Sequence, residues 1–267
     1  MKIPTFLSEF DPADLPAIAK ESKPLENAPL DAAVQALPAE KRIEEAYALI
    51  LDAVYSYYFA KELYAKLDRL ILSKSGPLSS GLRMMRDAVV KSAVIGIAKT
   101  IDETTGRTRS LPHSLGALKR SLEDSPAGSN EADAAATIQL IEHIVSSTNP
   151  DKVKSLLYVR HIRNKWAGHS SWDLSVDTWP TGDGKLNFPL LEDGLVRMVN
   201  AFEEFGMLLS MSPYLQTLEE AATRDSDNLD GTETFRVAIS WKAAVPMAHT
   251  MRDAGQNSAR QILSQLQ

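Results

Sequence analysis

The sequence predicts an all-α protein. From Ala39 onward apolar residues recur at three- and four-residue intervals over long stretches, the spacing of helices buried on one face. Turn-forming clusters, Gly76-Pro77, Ser125 to Ser129 and Trp179 to Gly184, fall between those stretches. Only one short run, Phe235 to Trp241, alternates as a strand would.

With 267 residues, 44% hydrophobic and 24% charged, the chain has the composition of a globular protein with an ample core. The formal charge is 29 − 35 = −6. With no cysteine, a disulfide scaffold, thiolate zinc sites and Cys nucleophiles are excluded. The first residues carry Pro and acids where a signal peptide needs an unbroken apolar run. The most apolar stretch, Ala88 to Ala98, is interrupted by Lys91 and is too short to span a bilayer. The expectation is a soluble cytoplasmic protein with no membrane partner.

Residues 1–38 contain Pro4, Pro12, Pro16, Pro24, Pro29 and Pro38, which permit little helix and predict an extended Pro-rich arm. Residues 39–74 read as one long helix through Ile43, Tyr47, Ile50, Val54, Leu63, Leu67 and Leu70, ended by Gly76-Pro77. A second helix runs from about Leu78 to Glu103 with Leu82, Met85, Val89, Ala93, Ile97 and Ile101. Short helices follow at about 113–123 and 131–147. Pro150 opens one over about 151–167, with Gly168 as its stop signal. The next spans about Pro189 to Ser210. Residues 216–267 form an acidic linker and a tail of unreadable type, strand or helix.

Charge is shared unevenly. Residues 192–233 hold ten acids against Arg197 and Arg224. Lys152, Lys154, Arg160, Arg163 and Lys165 lie in a stretch without an acid, as do Arg107, Arg109, Lys119 and Arg120. These basic segments read as an anion-binding surface or as solvated helix edges.

Residues 158–170 are the most informative. With Arg160 at zero on a wheel of about 100° per residue, Leu156, Val159, Trp166 and Ile162 share one apolar face, and Arg163 falls inside it. A guanidinium there must be paired, or must border a cleft or a subunit interface. Asn164 lies beside Arg160 at the other edge. A turn at Gly168 would let the His169 imidazole swing back toward Arg163. Arg binds phosphate with a planar, permanent charge, His moves protons near neutral pH, and an Asn amide orients a phosphate or ribose hydroxyl. RNA supplies its own nucleophile, the 2′-OH, so this set needs no metal. One His provides one proton-transfer group, and a partner subunit would provide the second.

Arg163-Asn164, four intervening residues and His169 resemble the motif of the HEPN superfamily, and the phrase from Arg163 to Ser170 resembles its abortive-infection, AbiU-type branch. The helix ending near Asp102 is similar to that branch's apolar helix with a terminal acid. The resemblance covers about residues 40–215. It implies an antiparallel HEPN-type helical bundle over 39–215 that forms a homodimer with a composite active site. It further implies a metal-independent, cofactor-free endoribonuclease, a toxin or phage-defence effector, working with an antitoxin or defence partner. On this reading Arg163 polarises the scissile phosphate, Asn164 is its polar helper and His169 transfers the proton. Lys152, Lys154, Arg160 and Lys165 would contact RNA. Asp102 matches loosely and receives no catalytic role.

Other readings of the same residues stand beside this one. A noncatalytic module would bind RNA or a nucleotide in the same cleft, or act as a regulatory partner. A structural reading makes Arg163 and Asn164 a buried lock at the dimer interface. His161 is read as an interface or surface residue, Trp166 as core rather than a base-stacking platform, and Tyr55, Tyr57, Tyr58 and Tyr64 as core or dimer contacts. His113, His143 and His249 make no metal spacing.

Overall fold

The computed structural model describes residues 39–102, 110–124, 131–167, 186–209 and 244–265. All belong to one compact unit, Pro38–Gln267. The arm, the Phe235–Trp241 run, His169 and Trp172 lie outside the described residues.

Among the described residues the chain is all-α, with seven helices: α1 (Ala39–Ser73), α2 (Gly76–Thr100), α3 (Leu111–Glu123), α4 (Glu131–Ser147), α5 (Lys154–Ile162), α6 (Phe188–Leu209) and α7 (Ala244–Gln265). A π-helical turn, Arg163–Ala167, continues α5 without a break. Helix α1, roughly 50 Å long at 1.5 Å per residue, is the spine. Its buried stripe of Ile43, Tyr47, Ile50, Val54 and Tyr57 meets Ile97 of α2, Leu115 of α3, Val159 of α5 and Phe202 of α6 in the main core. A second cluster, Leu63, Leu67 and Ile71 with Leu82 and Leu263, closes the far end of the α1–α2 hairpin.

Helix starts follow local chemistry. The α1–α2 connection turns on Gly76, whose φ of 68° is the left-handed region that glycine enters at little cost. Pro77 then sits in the first turn of α2 and Pro112 in the first turn of α3, where no intrahelical donor is lost. Both helices therefore start about two residues earlier than prolines read as breakers suggest. Helix α2 stops at Thr100 rather than Glu103. Helix α5 starts late. The Asn149 carbonyl accepts from Lys152 N and Val153 N, and its Oδ1 accepts from Asp151 N, so 149–153 is a turn.

The C-terminal segment resolves into a helix that packs along α1. Its buried positions include Ala248, Gly255, Ala259 and Leu263. Gly255 passes so close to α1 that a β-carbon there would stand 2.5 Å from the Tyr55 carbonyl oxygen. Residues 244–265 are thus a packed element of the bundle.

Candidate functional site

Three segments converge on a cleft of about 190 Å³: the end of α2 at Asp102, the Asn149–Asp151 turn, and the α5–π-turn junction at Arg160, Arg163 and Asn164. Each has an identifiable anchor. Asp102 follows the last turn of α2, and its carbonyl accepts a 2.6 Å hydrogen bond from the hydroxyl of Ser110, the buried N-cap of α3. Helix α5 is pinned by Leu156 and Val159, both fully buried. Gly194 of α6 approaches α5 closely, since a β-carbon there would stand 3.1 Å from Val159 Cγ2.

Arg163 begins the π turn. Its Nη1 donates to Asn164 Oδ1 at 3.0 Å and its Nη2 pairs with Asp102 Oδ2 at 3.4 Å. The guanidinium is 42% exposed and the carboxylate 21%. Of the alternatives open for a cation on that face, pairing and a cleft border both describe Arg163. Within the chain itself the guanidinium is not fully buried. A π turn rotates each residue less about the axis than an α turn does, so a uniform wheel misplaces residues after Ile162. Single π turns recur at functional sites.

Arg160 pairs across the cleft with Asp151, whose carboxyl is held below the ordinary range by that hydrogen bond. Lys152 donates to Ser146 Oγ at 2.8 Å. Lys154 is exposed at the first position of α5, and Lys165 is exposed on the π turn. Lys119, from the second basic segment, lies between Glu142 at 2.5 Å and Glu123 at 3.6 Å. The acid-free stretches are therefore not acid-free in space. Asp102, Asp151 and Glu142 reach them from outside.

Trp166 packs partly buried against the core, with Lys91 Nζ 5.2 Å from its ring centroid. Tyr57 is fully buried, and Tyr55, Tyr58 and Tyr64 are half-buried. The described residues contain no cluster of three or more metal-ligating side chains.

Sequence reasoning passed over Asp102 as a partner for Arg163, although the acid at the end of an apolar helix was a usable signal. It also missed a second polar cluster. Glu192 of α6 accepts from Lys61 at 2.5 Å and from Tyr58 at 2.7 Å, with Tyr57 at 3.5 Å. The single Tyr57 hydroxyl proton is directed chiefly at the Phe188 carbonyl, 2.8 Å away. Burial and the adjacent Glu192 carboxylate push both phenols well above the ordinary range. Burial works against the Glu192 carboxylate, but the bonds from Lys61 and Tyr58 outweigh it and hold its pKa below normal.

Comparison with protein families, characterised proteins and solved structures returns no match.

Proposed function

We propose that the chain is a metal-independent endoribonuclease of HEPN type that cuts RNA through its own 2′-OH. The observation that supports the reading best is the state of Arg163. It stands on a π turn lining a polar cleft, held by Asn164 and Asp102 and still 42% exposed. A guanidinium has five N–H donors, and the described residues engage two through hydrogen bonds.

In this reading a base takes the 2′-OH proton, the oxygen attacks phosphorus, and the 5′ oxygen leaves with a proton from an acid. The products are a 2′,3′-cyclic phosphate and a 5′-hydroxyl. Arg163 stabilises charge developing on the phosphoryl oxygens, and Asn164 fixes the guanidinium plane. His169 supplies one proton-transfer group, and a second protomer's motif supplies the other in a homodimer. Arg160, Lys152, Lys154 and Lys165 bind flanking phosphates. Toxicity or phage defence, with a cognate inhibitor or defence partner, is the biological setting this chemistry suits.

A second reading has its own support. Asp102 and Asp151 stand against the two arginines of the cleft, and carboxylates there compete with phosphate. A noncatalytic module that binds a nucleotide or RNA, or regulates a partner, uses the same residues without cleavage.

The deciding experiment is digestion of mixed RNA by the purified protein in EDTA, beside His169→Ala, with end-group analysis. Cyclic phosphate and 5′-hydroxyl ends that vanish in the variant support the nuclease. Intact RNA with wild-type protein, alongside RNA binding that Arg163→Ala weakens and His169→Ala spares, supports the binding module.

A further inference from the structure

The two arginines that line the cleft, Arg160 and Arg163, both have acidic partners. A group of cations with no acidic partner among the described residues stands at the opposite end of α2. Residues 69–86, the tip of the α1–α2 hairpin, contain Arg69, Lys74, Arg83 and Arg86 and no acid. Arg86 is engaged at the base of the tip by Asp68 and Asp87 and lies over the Tyr64 ring. Arg69, Lys74 and Arg83 are exposed and form no ion pair among the described residues.

The same end collects exposed apolar side chains. Leu72 is 83% exposed, Met84 73% and Leu78 58%, and Ile262 of α7 lies beside the Leu263 that packs into this end's core. Four of the six large exposed hydrophobics among the described residues are thus at one end. Every residue from Leu72 to Leu78 is exposed, so the turn protrudes instead of forming a groove.

We infer that this tip is a docking surface for an anionic lipid bilayer. Protruding aliphatic side chains interleaved with unneutralised cations suit the headgroup boundary, where leucines enter the acyl margin and Lys or Arg meet phosphate and carboxylate. Single-stranded nucleic acid fits poorly, because the tip offers no aromatic side chain for base stacking. A second copy fits poorly, because a symmetric contact would set Arg69, Lys74 and Arg83 against themselves. A protein partner fits less well, because the tip carries no Trp or Tyr anchor beside its arginines. Contact is with the bilayer surface, since no described helix is long and apolar enough to cross one. It amends the expectation of no membrane partner in that respect alone, and it is independent of the nuclease reading.

The test is co-sedimentation of the full chain with phosphatidylcholine vesicles, with and without phosphatidylserine, at low and high salt. Binding is expected only with phosphatidylserine and is weakened by salt. At about fivefold per cation, the triple variant Arg69→Gln, Lys74→Gln, Arg83→Gln loses about a hundredfold in partitioning. Leu72→Ser with Leu78→Ser also lowers it, while both variants keep the wild-type thermal midpoint. No partitioning into anionic vesicles, or partitioning indifferent to both variants, overturns the inference. So does a loss of dimerisation or of RNA binding in these variants with vesicle binding absent.

Discussion

Two polar clusters join helices of this bundle, and they are built differently. At Glu192 one carboxylate receives Lys61 and the Tyr58 hydroxyl, while the single Tyr57 hydroxyl proton goes chiefly to the Phe188 carbonyl. Both oxygens of the carboxylate are engaged, and the cluster ties α1 to α6. At Arg163 the balance is reversed. A guanidinium with five donors meets one amide oxygen and one carboxylate at 3.4 Å, beside an open cleft. Engaged groups hold a fold together, whereas unspent donors at a rim are available to a ligand.

Mutations in the two clusters are expected to act in opposite directions. The largest effect is expected at the motif: His169→Ala lowers RNA cleavage about 10²–10⁴-fold, read as initial rates on a labelled RNA. The next is mechanical. Gly255→Ala drives a methyl group against the α1 backbone and costs about 1–3 kcal/mol or more, seen as a lower denaturation midpoint. Glu192→Ala strands Lys61 and Tyr58 and costs about 1–3 kcal/mol, measured by chemical denaturation, with cleavage per folded molecule unchanged. Asp102→Asn sharpens the contrast at the other cluster. Removing the carboxylate beside Arg163 tightens RNA binding severalfold and steepens its salt dependence, read by titration at several salt concentrations.

The pH dependence is the smallest effect and follows from the sign of the Glu192 shift. Its folded-state pKa lies below its ordinary value of 4.5. The stabilisation is therefore complete above that value and is lost as pH falls through the lower folded one. Wild type and Glu192→Gln should converge in stability only in that acidic window, as followed by circular dichroism.

The helices were legible because their burial is periodic. The stripe from Ile43 to Leu67 and that of α2 can be read from spacing alone. Helix ends were less legible where one residue type has two uses: Pro77 and Pro112 break a helix interior but fit a first turn. Arg163 was legible as a cation that needed a partner. Its partner was not, because Asp102 is 61 residues away and only the α2–α5 packing brings it near. Glu192 is a similar case. It counts as one acid in an acidic run, and only the approach of α1, 131 residues distant, shows that Lys61 claims it. Counts of charge along the chain therefore overstate both the basic segments and the acidic one.

On the proposed function, Arg163 serves a ligand and Glu192 serves the fold. The most direct test of this division measures both properties in both variants: RNA cleavage and thermal midpoint for Arg163→Ala and Glu192→Ala. Arg163→Ala is expected to lose about 10²–10³-fold in cleavage while its stability changes by less than about 1 kcal/mol, as for an exposed pair. Glu192→Ala should show the reverse. An Arg163→Ala protein that unfolds readily, or that cleaves RNA as wild type does, would contradict it.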